Sequence, residues 1–431
     1  MVSLDKKIVV GLSSYQFMAM ARRGLFYTFL SLYLMAGLGL SVTATTLLAS
    51  LSMIANSVSQ TFVWGKIADK YRLRVRLVVI GETTAALGYI LVYFVHIHLL
   101  NTVSSAAAAY SIIAGLTFLE FFWSMSNLGW SALISDLSTS EERGKLMGVI
   151  SSFGGFGRIV GISVSGWLYD WGGKAGGFRS GMLFFFSAGI MLVSVVLIWL
   201  STGSSENTYK ARAGAAVAPS NGSRGYGSRD FYWFLASLFI VSLGTYSILQ
   251  ILVFYVALSA PIGANSYDIA MIANAASIAT IVASLLAGPL ADKVGRKNAL
   301  GLGLALTVVT PILYIFAQDV TQMILINSLS GVSMALISVV GYLLASDLIP
   351  VESRGRLFGQ YNAASYISFG VAGTLIGGPI ADSLISTGAA EATAYISAFQ
   401  VASAISLLGT IIFALRVKQP APQVGKSMKT R

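Results

Sequence analysis

The chain has 431 residues, of which 55% are hydrophobic and 10% are charged, and its formal net charge is +11. In soluble domains roughly a quarter of the residues are charged. The composition therefore excludes an ordinary soluble protein and predicts one that crosses a membrane many times. The lack of cysteine excludes disulfides and thiol chemistry, and with only two histidines the chain is a poor candidate for a zinc or redox-metal centre. We therefore expect no cofactor.

Apolar runs of about 20 residues, the length needed to cross a bilayer, follow one another along the whole chain. They predict an all-α polytopic membrane protein with twelve transmembrane helices in two pseudo-symmetric six-helix halves. The first six runs lie near residues 9–37, 43–64, 76–97, 106–134, 146–168 and 181–201. The second six lie near residues 231–258, 268–289, 298–317, 323–345, 357–379 and 393–416.

Between the two sets, residues 202–229 are rich in Gly, Ser, Ala and Arg, which predicts a flexible linker. We therefore expect a first half at 1–201, a second half at 230–416 and a basic tail at 417–431. If the amino terminus is cytoplasmic, most of the 28 Lys and Arg residues fall in cytoplasmic loops, as the positive-inside rule requires. The basic charge is then a topological signal and needs no nucleic-acid partner.

The same charge distribution predicts that both termini and the linker lie in the cytoplasm. We expect the protein to lie in the plasma membrane. The first apolar run is long and carries two arginines, so we expect no cleavable signal peptide.

Short motifs recur in the two halves. The basic loop GKIADKYRLR at residues 65–74 matches GPLADKVGRK at residues 288–297, and GWLYD at 166–170 matches GPIAD at 378–382. Both pairs occur at equivalent places in the order of the spans. We interpret the halves as internal repeats.

The loop at 288–297 resembles the signature loop of the major facilitator superfamily: Gly, three residues, Asp, a basic residue, one residue, Gly and two basic residues. The loop at 65–74 departs from this signature, since Arg72 stands where the family has Gly. The resemblance covers essentially the whole chain and implies two six-helix repeats with the substrate near the membrane midplane between them.

The resemblance also implies a cytoplasmic gate, in which an Asp and nearby basic residues hold the two halves together. The residues concerned are Gly65, Asp69, Lys70, Arg74, Asp136, Arg143, Gly288, Asp292, Lys293, Gly295, Arg296, Lys297, Asp347 and Arg354. The alternative is a topological anchor whose surface ion pairs contribute about 0 to 1 kcal/mol each.

Charges within the predicted spans are the strongest indication of chemistry, because a charge at the bilayer centre costs on the order of 2.5 kcal/mol or more. All of them fall in the first half: Arg22, Arg23, Glu82, Glu120 and Arg158. At about 1.5 Å per residue, Arg23, Glu120 and Arg158 share one depth near the midplane. Glu82 is shallower, so it serves either proton coupling or the gate.

Helical spacing sorts these residues into faces. Glu120, Trp123 and Asn127 lie on one face of the fourth span. On the first span Tyr27 shares a face with Arg23, which favours Arg23 over Arg22 as the cavity residue. The alternative is an ion pair of Glu120 with Arg158 that only fixes helix packing.

The second half has no charge at that depth. It offers neutral groups that we expect either to contact substrate or to bond neighbouring helices together. These are Tyr246, Gln250, Asn274, Asn327, Asn362 and Tyr366.

Three intramembrane arginines against two glutamates leave one positive charge in excess. An anionic substrate would offset this excess, and protonation of a glutamate would strengthen anion binding. We therefore expect a secondary active transporter that moves a small organic anion, such as a carboxylate or sugar acid, together with protons. Its expected partners are the substrate, protons and the lipid bilayer, and we expect a monomer.

Several alternatives stay open. A neutral sugar or drug transporter and ion-free facilitated diffusion remain possible, although the Gly-Pro-x-x-Gly-Gly motif of proton-driven drug exporters is absent from residues 161–166. A non-transporting receptor is also compatible with the pattern. An integral-membrane enzyme is not expected, since no DDxxD pair or Ser, His and Asp set stands out, and a primary pump would need a phosphate loop that the sequence lacks.

Overall fold

The computed structural model describes residues 6–71, 74–137, 143–202, 229–349 and 354–418. Nearly all of the predicted linker and nearly all of the predicted tail lie outside these residues. The described residues form helices and no β-strand.

Twelve long helices follow one another along the chain. The first six are α1 (Lys6–Leu32), α2 (Val42–Ser59), α3 (Arg74–Thr102), α4 (Ser105–Leu137), α5 (Arg143–Leu168) and α6 (Met182–Thr202). The second six are α7 (Arg229–Ser247), α8 (Ser266–Val294), α9 (Arg296–Phe316), α10 (Val320–Leu348), α11 (Arg354–Ala372) and α12 (Glu391–Arg416).

Three helices continue beyond these bounds. After α2 the chain passes through a π-helical segment, Gln60–Trp64, into the short helix Gly65–Tyr71. After α11 it passes through the π-helical segment Gly373–Gly377 into Gly378–Ser386. The helix Leu249–Ala257 extends α7. A short helix, Gly176–Arg179, and a π-helical segment, Tyr33–Gly37, occupy the connections that follow α5 and α1.

Eleven helical stretches of the described chain are long and apolar enough to cross a membrane, and they cover every long helix except α1. Helix α1 has sufficient length, but the adjacent Arg22 and Arg23 lower its hydropathy. Since α1 packs on α5 and α6 along with the other spans, we count it as the twelfth. The protein is an all-α polytopic membrane protein, as the apolar runs predict.

Local sequence signals set several helix ends. Ser41 and Asp319 cap α2 and α10 by accepting hydrogen bonds from backbone amides in the first turn. Asn265 and Asp268 form a capping box at the start of α8. Gly295 has a φ of 90°, a conformation that favours glycine, and it separates α8 from α9.

The helix packing repeats with a period of six. In the first set α1 packs on α5 and α6, α3 on α4 and α6, and α2 on α4. In the second set α7 packs on α11 and α12, α9 on α10 and α12, and α8 on α10. The two sets meet through α2 with α11 and through α5 with α8. Every one of these contacts therefore has a counterpart six helices along, which is the packing expected of two repeats.

Since successive helices cross the bundle in opposite directions, the connections lie on two faces. We call the terminal face the one that holds the start of α1 and the end of α12. The distal face holds the connections between α1 and α2, α3 and α4, α5 and α6, and their counterparts in the second set.

Close contact between α1 and α5 depends on small residues. A Cβ atom on Gly157 or Gly161 would overlap the backbone of α1 at Phe17 or Ala21, and one on Gly24 would overlap the backbone oxygen of Arg158. The backbones of α1 and α5 are therefore in direct contact next to Arg22 and Arg23 of α1 and Arg158 of α5.

Candidate functional site

Glu120 lies on α4 and is held by neutral hydrogen-bond donors. Its Oε2 accepts a hydrogen bond of 2.9 Å from Asn56 Nδ2 on α2, and its Oε1 accepts one of 3.5 Å from the Tyr27 hydroxyl on α1. The amide of Gln60 in turn donates to Asn56 Oδ1 over 2.6 Å. The carboxylate thus connects three helices of the first set.

Arg22 is buried within the first set, with 2% of its surface exposed. Its Nη1 donates a 2.7 Å hydrogen bond to the hydroxyl of Tyr89 on α3, which lies 3.3 Å from the Tyr27 hydroxyl. A chain of two tyrosines therefore joins Arg22 to Glu120. The Nε of Arg22 has no hydrogen-bond partner among the described residues.

Glu82 is equally buried, on α3, with 1% of its surface exposed. Its Oε1 accepts three hydrogen bonds of 2.8 to 2.9 Å, from the hydroxyls of Tyr15 and Ser126 and from Trp123 Nε1. Donors from α1 and α4 therefore enclose one oxygen of the Glu82 carboxylate.

The Trp123 ring joins the acidic and basic groups of the site. The Arg23 guanidinium lies 4.4 Å from the ring centroid and that of Arg22 lies 5.1 Å away, both within the range of a cation–π contact. The indole N–H of the same residue binds Glu82. One side chain of α4 thus contacts both arginines of α1 and a carboxylate of α3.

Arg158 on α5 completes the cluster. Its side chain is exposed, and it lies close enough to Arg23 for the two charges to repel each other. Within the described residues no carboxylate comes within 4.0 Å of Arg22, Arg23 or Arg158, and the ion pair found there joins Arg296 to Asp347. The charged cluster of α1, α3, α4 and α5 is therefore assembled without direct ion pairs between its arginines and its glutamates.

The neutral groups expected in the second half lie in different environments. Asn327 is buried and bonds the Tyr314 hydroxyl and the Ile272 carbonyl, both at 2.7 Å, which ties α10 to α9 and α8. Asn274 donates a 2.8 Å hydrogen bond to Ser163 and so links α8 to α5 across the two sets. Its Oδ1 is buried without a partner among the described residues.

The remaining neutral candidates are less constrained. Tyr246 is half-buried and makes an edge contact with Phe369, with 5.3 Å between the ring centroids. Gln250 is half-buried, and its Oε1 has no partner among the described residues. Asn362 is exposed, as is Tyr366. Asn127 is half-buried on α4.

In the second set, the motif loop on the terminal face makes contacts within that set. Arg296 pairs with Asp347 and also donates to the Leu343 carbonyl over 3.1 Å. Lys297 donates to the Ala414 carbonyl over 2.9 Å, so the loop ties α9 to α10 and α12. Other members of this motif lie near the end of α8: Gly288, Asp292 and Lys293, the last two with exposed side chains.

The first motif loop is described in part. Gly65 starts the short helix that carries Lys70, and Arg74 donates a 3.1 Å hydrogen bond to the Ala68 carbonyl. Four further residues of the predicted gate have side chains that the structure does not describe. Three belong to the first set, Asp69, Asp136 and Arg143, and one to the second set, Arg354.

On the distal face the two sets are joined by a pair of aspartates from the repeated motif GWLYD and GPIAD. The carboxylate of Asp382 accepts hydrogen bonds from the backbone N–H groups of Val42 and Thr43, at 2.9 and 2.8 Å, in the first turn of α2. The carboxylate of Asp170 accepts a hydrogen bond from the Ser266 hydroxyl at the first residue of α8. Each set thus places a carboxylate on the start of a helix in the other.

Further hydrogen bonds support this closed distal face. The Ser50 hydroxyl on α2 bonds the Gly370 carbonyl and lies 2.7 Å from the Thr374 hydroxyl, which donates to Thr46 over 3.1 Å. Sequence reasoning detected the repeated motif but assigned it no role. It also missed Asn56 and Gln60, because neutral polar residues are common in packed spans and carry no distinctive signal.

Twelve spans in two repeats, with a cluster of charged side chains on α1, α3, α4 and α5, are typical of a polytopic helical transporter. The sequence model of the Major Facilitator Superfamily matches residues 12–260 and 253–430. The chain belongs to this family, and it is a transporter rather than an enzyme.

Individual relatives are distant. The chain is 23% identical over 359 residues to the multi-drug resistance efflux pump PmrA homolog of Lactococcus lactis, covering 82% of this chain and 83% of that protein. It is 29% identical over 110 residues to the probable L-galactonate transporter of Escherichia coli, covering 26% of this chain and 24% of that protein. A 34% identical match to an uncharacterized MFS-type transporter of Mycobacterium tuberculosis spans 103 residues, 24% of this chain and 15% of that protein.

Solved structures agree on the fold. The nucleoside transporter NupG superposes with a TM-score of 0.70 at 15% identity, over 95% of this chain and 99% of that chain. At this identity the similarity establishes the fold alone.

Proposed function

We propose that this protein is a proton-coupled transporter of a small organic anion, such as a carboxylate or sugar acid, in the plasma membrane. The terminal face is then the cytoplasmic side, because most of the described Lys and Arg residues outside the spans lie there. Alternating access would bring substrate to the charged cluster from either side of the membrane in turn.

The observation that carries the proposal is the absence of ion pairs in the described part of the charged cluster. Arg22 and Arg23 rest on aromatic rings and Arg158 is exposed, while neutral donors hold both glutamates. With both glutamates ionised, the cluster keeps one positive charge in excess. An anion that reaches Arg23 and Arg158 would relieve their mutual repulsion and balance that charge.

Glu120 is the proposed proton carrier. It is half-buried and bound by two donors, whereas the buried carboxylate of Glu82 is enclosed by three hydrogen-bond donors. Protonation of Glu120 adds one positive charge to the cluster and strengthens the binding of an anion. By linkage, a bound anion strengthens protonation by the same factor, which is the physical basis of symport.

The test is uptake into proteoliposomes under an imposed inward proton gradient. The substrate panel comprises carboxylates, sugar acids, neutral sugars and cationic dyes. Gradient-driven accumulation of one of the anions is expected for the native protein, and Glu120→Gln is expected to retain exchange but lose accumulation.

Arginine variants locate the anion. Arg23→Gln should raise the KM for the anion about 10- to 100-fold, the effect of losing a hydrogen bond to a charged partner. Arg416→Gln is the matched control, since Arg416 also stacks on a tryptophan, Trp233 at 5.2 Å, but at the end of α12. Equal KM values for the two variants would contradict the assignment.

Export of drugs is the second candidate, favoured by one observation: a relative named as a multidrug efflux pump matches over four fifths of the chain. In that case the same vesicles would move cationic or neutral dyes against a gradient and leave the anions outside. That result would reassign the arginines as structural partners of the aromatic residues.

A further inference from the structure

Helix α2 carries one of the two groups that donate hydrogen bonds to Glu120 from other helices. Asn56 donates to Glu120 Oε2 over 2.9 Å, and its Oδ1 is occupied by the Gln60 amide. Because Gln60 binds the oxygen of the Asn56 amide, the NH2 group of that amide is left to face Glu120. The orientation of Asn56 is therefore fixed as a donor toward the carboxylate.

The same helix carries the contacts between the two sets on the distal face. Asp382 binds its first turn at Val42 and Thr43, and Ser50 bonds α11 at Gly370. Helix α2 also packs along α11 and its extension. Movement of α2 therefore changes the contact between the sets.

A regular helix joins these two regions of α2. It is α-helical from Val42 to Ser59, and the π-helical segment begins only at Gln60. At about 1.5 Å per residue, Asn56 lies about 21 Å from Val42 along the axis. A displacement at Asn56 is thus transmitted to the distal end of α2, since an uninterrupted helix moves as a unit.

We propose that Asn56 is the positioning residue through which Glu120 controls helix α2 and, with it, the closure of the distal face. The proposal deepens the proposed function and rests on it, because it takes Glu120 as the proton carrier. A hydrogen bond to an ionised carboxylate is about twice as strong as one to a neutral acid. Ionised Glu120 holds α2 in the closed arrangement, and protonation weakens that hold and favours distal opening.

The charged and titratable groups around Glu120 come from every helix packed on it. Helix α1 contributes Arg22, Arg23 and Tyr27, and α3 contributes Tyr89. From α2 the group in contact is the neutral amide of Asn56. Arg22 and Arg23 stay charged throughout the physiological range, and both tyrosines are neutral there. Protonation of Glu120 therefore alters its contact with α2 without ionising another member of this group.

The experiment measures distal opening against pH. The chain has no cysteine, so spin labels can be placed at Asn101→Cys and Gln318→Cys without background. Both positions are exposed on the distal face, one in each set. Distance distributions between the labels give the fractions of distal-closed and distal-open molecules at each pH.

Four backgrounds separate the possible causes. In the otherwise native protein the open fraction should rise as pH falls, and Glu120→Gln should make it independent of pH. Asn56→Leu should reduce the pH response about tenfold, because the bond that senses the carboxylate is gone. Asn298→Leu is the control and should leave the response unchanged, because Asn298 is exposed and its side chain donates to the carbonyl of Val294, four residues earlier in the chain.

Asn56→Asp provides a second test if Asn56→Leu does not fold. Two neighbouring carboxylates share a proton more readily than one, so the midpoint of opening should move to higher pH. A response that depends on Glu120 yet persists unchanged in both Asn56 variants would overturn this proposal and leave the proposed function intact. The proposed function itself would be overturned by two results together: an open fraction that does not change with pH in the native protein, and gradient-driven accumulation by Glu120→Gln at the native level.

Discussion

Asp382 provides a quantitative test of how the two sets are held together. Its carboxylate accepts two backbone hydrogen bonds of 2.8 to 2.9 Å at the start of α2, where the helix dipole also favours negative charge. Asp382→Asn keeps one acceptor oxygen but loses the charge and one of the two bonds. A charge-assisted hydrogen bond contributes about 1.5 to 3 kcal/mol, so we expect the closed distal face to lose about 2 kcal/mol, or about 30-fold in the closing equilibrium.

The assay is the labelling rate of a single cysteine at Thr46→Cys. Thr46 is 2% exposed and contacts Thr374 across the two sets, so a maleimide reaches it when the distal face opens. If opening is fast relative to labelling, the rate is proportional to the open fraction. Asp382→Asn should therefore label about 30 times faster than the native background at the same pH.

The matched control is Asp319→Asn. Asp319 also caps a helix on the distal face, accepting from Gln322 at 2.8 Å, but this contact lies wholly within the second set. Asp319→Asn should leave the labelling rate within a factor of about two. Equal rates in Asp382→Asn and the native background would refute the view that this carboxylate holds the sets together.

Three further predictions concern packing and the Trp123 contacts. Gly161→Leu would drive a side chain into the backbone of α1 at Ala21 and should prevent recovery of folded protein in detergent, whereas Gly148→Leu, with open space around it, should purify normally. Trp123→Phe keeps a ring for the arginines but removes the N–H bonded to Glu82, so we expect a loss of about 1.5 to 3 kcal/mol of stability, measured as a lower Tm, with substrate KM nearly unchanged. Trp123→Leu removes the ring as well and should raise the KM for the anion; an unchanged KM would show that the arginines do not need the ring.

Much of the fold can be predicted from the sequence because each span must be apolar over a fixed length. The run predicted near 323–345 becomes α10 at Val320–Leu348, and the run near 298–317 becomes α9 at Arg296–Phe316. Helix α10 extends three residues beyond its run at each end, whereas α9 begins two residues before its run and ends one residue short of it. Hydropathy therefore locates the spans but misplaces their ends by a few residues.

The charged site is harder to predict because it depends on how helices face one another. Helical spacing puts Glu120 and Trp123 on one face of α4, but it cannot show that Asn56 of α2 faces the same carboxylate. From its depth along the span, Glu82 is predicted to lie apart from the midplane charges Arg23 and Glu120. In the structure Trp123 contacts both Glu82 and Arg23 and so joins Glu82 to that group. Arg22 and Arg23 point in different directions on α1, yet a ring as large as that of Trp123 contacts both.

The way in which the charges are held bears on transport. A direct Arg–Glu pair in the membrane would satisfy both groups, and removing either partner would leave an uncompensated charge, so such a pair favours a fixed structure. Here aromatic faces stabilise the guanidinium groups of Arg22 and Arg23, and amide, hydroxyl and indole donors stabilise the carboxylates. Within the described residues the Arg23 guanidinium makes no hydrogen bond, so its N–H donors are available to an anion, and Glu120 can gain a proton without breaking an ion pair. Because Asn56 on α2 is among the donors that hold Glu120, a change of charge at this carboxylate alters a contact with the helix that joins the two sets.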